Sequence, residues 1–197
     1  MTNVFAIHSV GQSLVTYLTN TYPADLRERY DCTFTLLSSA DLAQEEVDST
    51  PTKVSLYLYR VTMNEHLRSA RRALDAAHDN TPLSVDLHYL LTVWAEAALE
   101  EQVILAWVMR QLQQHPILDR SSLSPEAGWN PGEFIQLVPA ELSNEDVMRI
   151  WDALQPSYRL SVSYIARVVR IDGDAVPAAP PVVATRFNYA DALEPAT

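Results

Sequence analysis

A chain of 197 residues with 48% hydrophobic content carries enough apolar side chains for one folded domain plus a tail. Its net charge of −11, from 14 Lys and Arg against 25 Asp and Glu, argues against a nucleic-acid ligand and against an anionic membrane surface, because both need a basic excess. The single cysteine, Cys32, rules out an intrachain disulfide and fits a cytosolic folding compartment.

Residues 1–24 contain no Asp, Glu, Lys or Arg. They do not read as a secretion signal, because no positive start is present and Gln12, Ser13, Thr16, Thr19 and Asn20 interrupt the apolar run. The spacing of Val4, Ile7, Gly11, Leu14 and Leu18 predicts instead a helix from Val4 to Tyr22, N-capped by Asn3 and ended by Pro23. Its other face is polar but uncharged. That face suits either a contact with another subunit, through residues such as Gln12 and Thr16, or an ordinary Ser- and Thr-rich surface.

A strand is expected at Cys32–Leu37, with Cys32 as a small buried residue. Residues 41–48 (DLAQEEVD) read as an acidic loop, open to a basic partner or simply solvated. Lys53–Val61 alternates Val54, Leu56 and Leu58 with Ser55, Tyr57 and Tyr59, the pattern of a strand. Residues 64–79 form a long connection that could hold a short helix capped by Asn64, and they contain the basic cluster Arg68, Arg71 and Arg72. Leu83–Val93 keeps period two over eleven residues and predicts a strand with one core face and one polar face.

A second long helix is expected from Ala95 to Gln114, lined by Leu99, Leu105, Val108, Met109 and Leu112 and widened by Ile104 and Trp107. After a loop over 116–132 come a strand at Phe134–Val138 and a short helix at Asn144–Leu154, opened by Ser143 and Asp146 and anchored by Trp151 and Leu154. The last strand, Tyr158–Ile171, alternates Tyr158, Leu160, Val162, Tyr164, Ala166 and Val168 with Arg159, Ser161, Ser163 and Arg167. The expected fold is α+β: a mainly antiparallel mixed sheet of about five strands, two long helices on one face and one short helix. Residues 1–172 would form this domain. The Pro- and Ala-rich residues 173–197, with Phe187 and Tyr189, would form an extended arm.

Ser84, Asp86 and His88 share one strand face but cannot form a catalytic triad. Ser84 and His88 would lie about 13 Å apart at a rise of roughly 3.3 Å per residue, whereas a nucleophile and its base must meet within roughly 3 Å. An ion pair from Asp86 to Arg159 or Arg167 across the strands is the more economical use of that carboxylate. The five histidines are scattered, no HExxH or CxxC motif exists, and the four glycines form no phosphate loop. No metal, cofactor or catalytic residue is therefore assigned.

The run VSLYLYRVTMNEHLR (54–68) followed by PLSVDLHYLLTVW (82–94) resembles the signature strands of one family. These are the cap, or tail terminator, proteins of phage-tail-like extracellular contractile injection systems, of the antifeeding-prophage and virulence-cassette type. The segments VMRQLQQHPIL (108–118), LSNEDVMRIWDAL (142–154) and YRLSVSYIARVVRID (158–172) continue the likeness, so it covers residues 3–172. The residues that carry it are Tyr57, Tyr59, Arg60, Asn64, Leu67, Arg68, Asp86, His88, Tyr89, Thr92, Trp151, Tyr158, Ser161 and Tyr164.

The resemblance implies a phage tail-terminator-like fold and a structural role as a bacterial cap subunit. A ring of such subunits, a hexamer by this likeness, would end polymerisation of the inner tube and sheath at the distal end of the particle. Assembly would take place in the cytoplasm and the product would be part of an often extracellular particle. Subunit or partner contacts would then involve Gln12, Thr16, Arg71, Arg72, Arg159, Arg167, Phe187 and Tyr189. A monomeric adaptor or a small-ligand binding domain is the alternative reading.

Overall fold

A computed structural model describes residues 1–43, 51–64, 82–154 and 156–173. Six strands form one mixed sheet: β1 (Cys32–Leu37), β2 (Thr52–Met63), β3 (Leu83–Trp94), β4 (Ile117–Asp119), β5 (Phe134–Ala140) and β6 (Ser161–Ile171). Their spatial order is β1-β2-β3-β6-β5-β4. Every pairing is antiparallel except β1 with β2, which is parallel. Two long helices, α1 (Ala6–Thr21) and α4 (Ala98–Gln114), accompany the short helices α2 (Ala24–Arg29), α3 (Ser39–Leu42) and α5 (Asn144–Ala153). The expected α+β sheet is present, with β4 as a sixth strand inside a stretch read as loop. Three residues with one buried side chain, Leu118, are too short to show periodicity.

The central strands separate two hydrophobic cores. Val85, Leu87, Tyr89, Leu91 and Val93 of β3 and Val54 and Leu56 of β2 face α1 and α4. On that side lie Ala6, Val10, Leu14 and Leu18 of α1 and Ile104, Leu105, Trp107, Val108 and Leu112 of α4. The opposite face of β3 is not purely polar, as its alternation suggested. Leu90 and Trp94 pack there against Leu42 of α3 and Trp151 of α5. The even positions of β3 thus divide: Ser84, Asp86 and His88 are polar where none of the described helices lies over them, Leu90 and Trp94 are apolar beneath α5, and Thr92 between them is buried and polar.

Helix ends and faces differ from the expected ones in specific ways. Asn3 does not occupy the N-cap of α1, which begins at Ala6 after Phe5. The Asn3 backbone N–H donates to the Ala127 carbonyl at 2.9 Å and its Nδ2 to the Glu126 carbonyl at 3.0 Å. This anchoring leaves Val4 on the surface. Leu99 and Met109 of α4 are also exposed; the buried arc is centred on Ile104 and Val108. Ser143 does cap α5, accepting from the Asp146 N–H at 3.1 Å. A full capping box, Ser38 with Asp41, opens α3.

Cys32 starts β1 beneath this core, and burial, then the Glu100 carboxylate, push its thiol up to about 12. The thiolate needed for alkylation is therefore scarce near neutral pH. Iodoacetamide at pH 8 is expected to leave the native chain unlabelled and to modify it once in denaturant, read by intact mass. Fast native labelling would contradict the burial.

The following expectations fall outside the described residues: all but the start of the acidic loop over 41–48, the helix over 64–79 with Leu67, Arg68, Arg71 and Arg72, and the arm with Phe187 and Tyr189.

Candidate functional site

Two regions of the described chain combine polar side chains in ways a plain core would not require. The first is the sheet's second face, where the signature residues Tyr59, Asn64, Asp86, His88, Thr92 and Ser161 meet. His88 Nε2 and Thr62 Oγ1 lie 3.0 Å apart, and the Tyr59 ring meets the imidazole edge-on. Burial, then the Arg60 guanidinium, lower the His88 pKa from the ordinary 6.5. The shift favours the neutral ring, which the bond to a hydroxyl on its own sheet orients. Tyr59 Oη lies 3.0 Å from Ser163 Oγ, and Thr92 Oγ1 lies 2.9 Å from Ser161 Oγ.

Asp86 does not make the ion pair expected with Arg159 or Arg167. Its Oδ1 accepts the Val168 N–H at 3.0 Å, and both its oxygens accept from Asn64 Nδ2 at 3.3 Å. The β3–β6 register shifts between Val85 and Leu87, so an extra β6 residue stands opposite Asp86. Val168 takes φ 64 to accommodate it, a conformation that β-branched residues rarely adopt. The bulge also reverses the expected alternation, sending Val169 rather than Val168 into the core. Arg159 instead sits 5.9 Å over the Trp94 ring and donates to the Ala95 carbonyl at 3.4 Å. Arg167 is exposed.

The carboxylate therefore supports a strained backbone. Asp86→Ala is expected to cost about 1–3 kcal/mol, the penalty for stranding a partly buried donor. Combining it with Val168→Gly, which relieves a strain of about 1–3 kcal/mol, should cost less than Asp86→Ala alone. Urea unfolding of the two single variants and the double variant checks this; a double variant that costs as much as Asp86→Ala alone, or more, would refute it.

Beside this face, Tyr57, Tyr59, Leu142, Ile150 and Leu154 line an open groove of about 530 Å³, with Arg60 and Arg149 at its rim. The other signature residues are spread out. Tyr89 and Tyr164 belong to the core under α1, where Tyr89 Oη donates to the Ile7 carbonyl at 3.4 Å. Trp151 packs between Trp94 and the exposed Tyr158, with centroids 5.9 and 6.1 Å away.

The second region lies at the start of the chain, and the sequence reading missed it. Thr2 is fully buried; its N–H donates to Asp172 Oδ2 at 2.9 Å and its carbonyl accepts the Asp172 N–H at 2.8 Å. Thr2 Oγ1 donates to Glu133 Oε2 at 2.6 Å, and Asn130 Nδ2 to Asp172 Oδ2 at 2.9 Å. Burial opposes the Asp172 charge, yet Asn130, the Thr2 N–H, Arg170 and the terminal ammonium together hold its carboxyl below the ordinary range. The contacts span 170 residues of sequence, and local pattern carries no signal for them.

Part of the uncharged face of α1 is consumed internally. Ser9 Oγ donates to the Ser124 carbonyl at 2.8 Å, and Ser13 Oγ accepts the Ser124 N–H at 2.7 Å. Trp129 Nε1 closes this seam on Ser9 Oγ at 3.2 Å. Gln12 is half-buried and Thr16 exposed on the remaining surface of the helix. Among the described residues no cluster of His, Cys, Asp and Glu could hold a metal ion, and no helix is long and apolar enough to cross a membrane.

The profile of the Pvc16 N-terminal domain family matches residues 9–185. This chain belongs to that family. The match runs past the boundary expected at 172. Two solved structures share the fold: a PVC sheath/tube terminator of an extracellular contractile injection system, in its extended state, and the tube-terminating cap of the anti-feeding prophage. The first is 19% identical with a TM-score of 0.54, covering 94% of this chain and 64% of that one. The second is 14% identical with a TM-score of 0.53, covering 96% and 62%. The chain therefore spans under two thirds of the length of each. No curated protein sequence matches it.

Proposed function

We propose that this chain is a structural terminator subunit, which ends tube and sheath polymerisation in a contractile injection particle. The observation that carries the reading is the fold it shares, over nearly its whole length, with two chains described as terminator and cap. Family membership across residues 9–185 supports it independently. The reading includes self-association into a ring, a hexamer by analogy, that contacts the inner tube and the sheath. Assembly takes place in the bacterial cytoplasm before the finished particle is released.

The role is non-enzymatic. Ser84, Asp86 and His88 support that view: the imidazole is tied to Thr62 and the carboxylate to the β-bulge at Val168. In this reading Tyr59, Asn64, Asp86, His88, Thr92 and Ser161 hold the second face of the sheet in shape, and residues 173–197 form an arm that adds contacts to the neighbouring layer.

Electron microscopy of particles assembled without this chain tests the proposal. Tubes and sheaths of uncontrolled length, or ragged ends, are the expected result. Particles of normal length and finish would overturn it.

A further inference from the structure

The last residues of β6 are held differently from the rest of the strand. Up to Arg167, β6 pairs with β3 on one side and β5 on the other, with Gln136 opposite Arg167. Beyond Arg167, β3 is its only strand partner among the described residues. There the register changes by one. Leu87 stands opposite Ala166, but Val85 stands opposite Val169 and Leu83 opposite Ile171. Val168 is the inserted residue, and at φ 64 it is strained for a β-branched side chain.

A second register is open to the same residues. Continued past Leu87 without the bulge, the pairing sets Arg167 opposite Asp86, Val168 opposite Val85 and Arg170 opposite Leu83. Val168 then enters the core in place of Val169, which is now fully buried. One valine replaces another, so the core keeps its volume. The positive φ disappears. Asp86 exchanges the Val168 N–H, at 3.0 Å, for a guanidinium directly across the strands.

Three costs oppose the change and keep the bulged register populated. Ile171 leaves the edge of the core it packs against. Arg170 turns to the core face, beside a Leu83 that is 42% exposed, so its charged head still reaches water. Absorbing the bulge also advances Asp172 by one residue, about 3.3 Å along the strand. Its bonds to the Thr2 N–H, the Thr2 carbonyl and Asn130 Nδ2, at 2.9, 2.8 and 2.9 Å, are then lost. Asp86 and Asp172 thus hold the strained register from its two ends.

We propose that the end of β6 is a two-register switch. In one state the bulge at Val168 is present and Asp172 clasps Thr2; in the other the bulge is absorbed, Asp86 faces Arg167 and Thr2 is released. The start of the chain and the end of β6 therefore move together. Both registers follow from the pairing of β3 with β6 and stand whether or not the chain is a terminator.

Disulfide trapping in the full chain tests the switch, because directly opposed strand residues lie within bridging distance. Ser84→Cys with Val169→Cys are opposed only in the unbulged register. Ser84→Cys with Arg170→Cys are opposed only in the bulged one, and Ser84→Cys with Val168→Cys in neither, so that pair reports fraying. Cys32 does not compete, since its thiol is buried and pushed up to about 12. In a glutathione redox buffer, read by intact mass, the pair at 169 is expected to close at least tenfold faster than the pair at 168. Once it has closed, the Thr2 and Asp172 amides should lose protection in hydrogen exchange followed by NMR, while Ala166 keeps its own. A pair at 169 no faster than the pair at 168 overturns the proposal, as does a trapped form with Thr2 still protected. Should Val169→Cys fail to fold, Val168→Gly in the parent decides. Glycine accepts φ 64 and cannot fill the core in the other register, so it should slow exchange at Thr2 at least fivefold. Unchanged or faster exchange there would refute the switch.

Discussion

Replacing Trp94 by Ala is expected to lower stability by about 3–5 kcal/mol, the range for removing a large aromatic side chain from a core. Trp94 is 2% exposed and is one of the two tryptophans of the second core. Its indole N–H donates to Ser55 Oγ at 2.8 Å, its ring meets Trp151 edge-on, and Arg159 lies over it. The second core has few members, so little material can collapse into the vacancy, and α5 loses its main contact with the sheet. Ser55→Ala keeps the packing but strands the indole N–H and should cost less, about 1–3 kcal/mol. Urea denaturation followed by fluorescence measures both. Comparable losses in the two variants would show that the hydrogen bond, not the packing, holds α5 down.

A leucine in place of Gly11 should be nearly as damaging, for the opposite reason. Gly11 lies in the middle of α1, where a glycine costs the helix about 1 kcal/mol relative to alanine. A Cβ at this position would come within 2.9 and 3.0 Å of the two Leu36 methyl carbons and 3.4 Å of Tyr89 Oη. The helix crosses the sheet here without room for a side chain. Alanine needs only a small shift of the Leu36 methyls, and its better helix propensity offsets most of the strain. Leucine drives three further carbons into β1 and Tyr89, and overpacking of this kind costs about 1–3 kcal/mol. A fall in Tm of roughly 2–12 °C is expected, at about 2–4 °C per kcal/mol for a chain of this size, with Gly11→Ala close to the parent. Adding Leu36→Ala to the leucine variant should recover part of the loss; no recovery would place the clash elsewhere.

The β3 pattern illustrates how far local reading reaches. Its period of two identified the strand and the face that packs against α1 and α4, because side chains alternate sides whatever surrounds them. It could not show that Leu90 and Trp94 are covered by α5 and α3, since that depends on segments over 40 residues away in either direction. The β6 alternation failed at Val168 because a bulge inserts one residue and reverses the parity beyond it. The Asp86 partner was misjudged for the same reason: the bulge turns the Val168 N–H toward the carboxylate, and no spacing rule reveals that. In the candidate site, residue types were legible from sequence and their partners were not.

By itself the sequence determined the α+β class, the core face of β3, the absence of charge along residues 1–24 and the family resemblance. These properties are local and periodic, or carried in continuous runs. Tertiary structure alone decided the parallel pairing of β1, the tie between Thr2 and Asp172, the seam from Ser9 and Ser13 to Trp129, and the meeting of Asp86 with the Val168 N–H. Each joins groups distant in sequence, and their meeting depends on the register and order of the sheet, which no local pattern encodes.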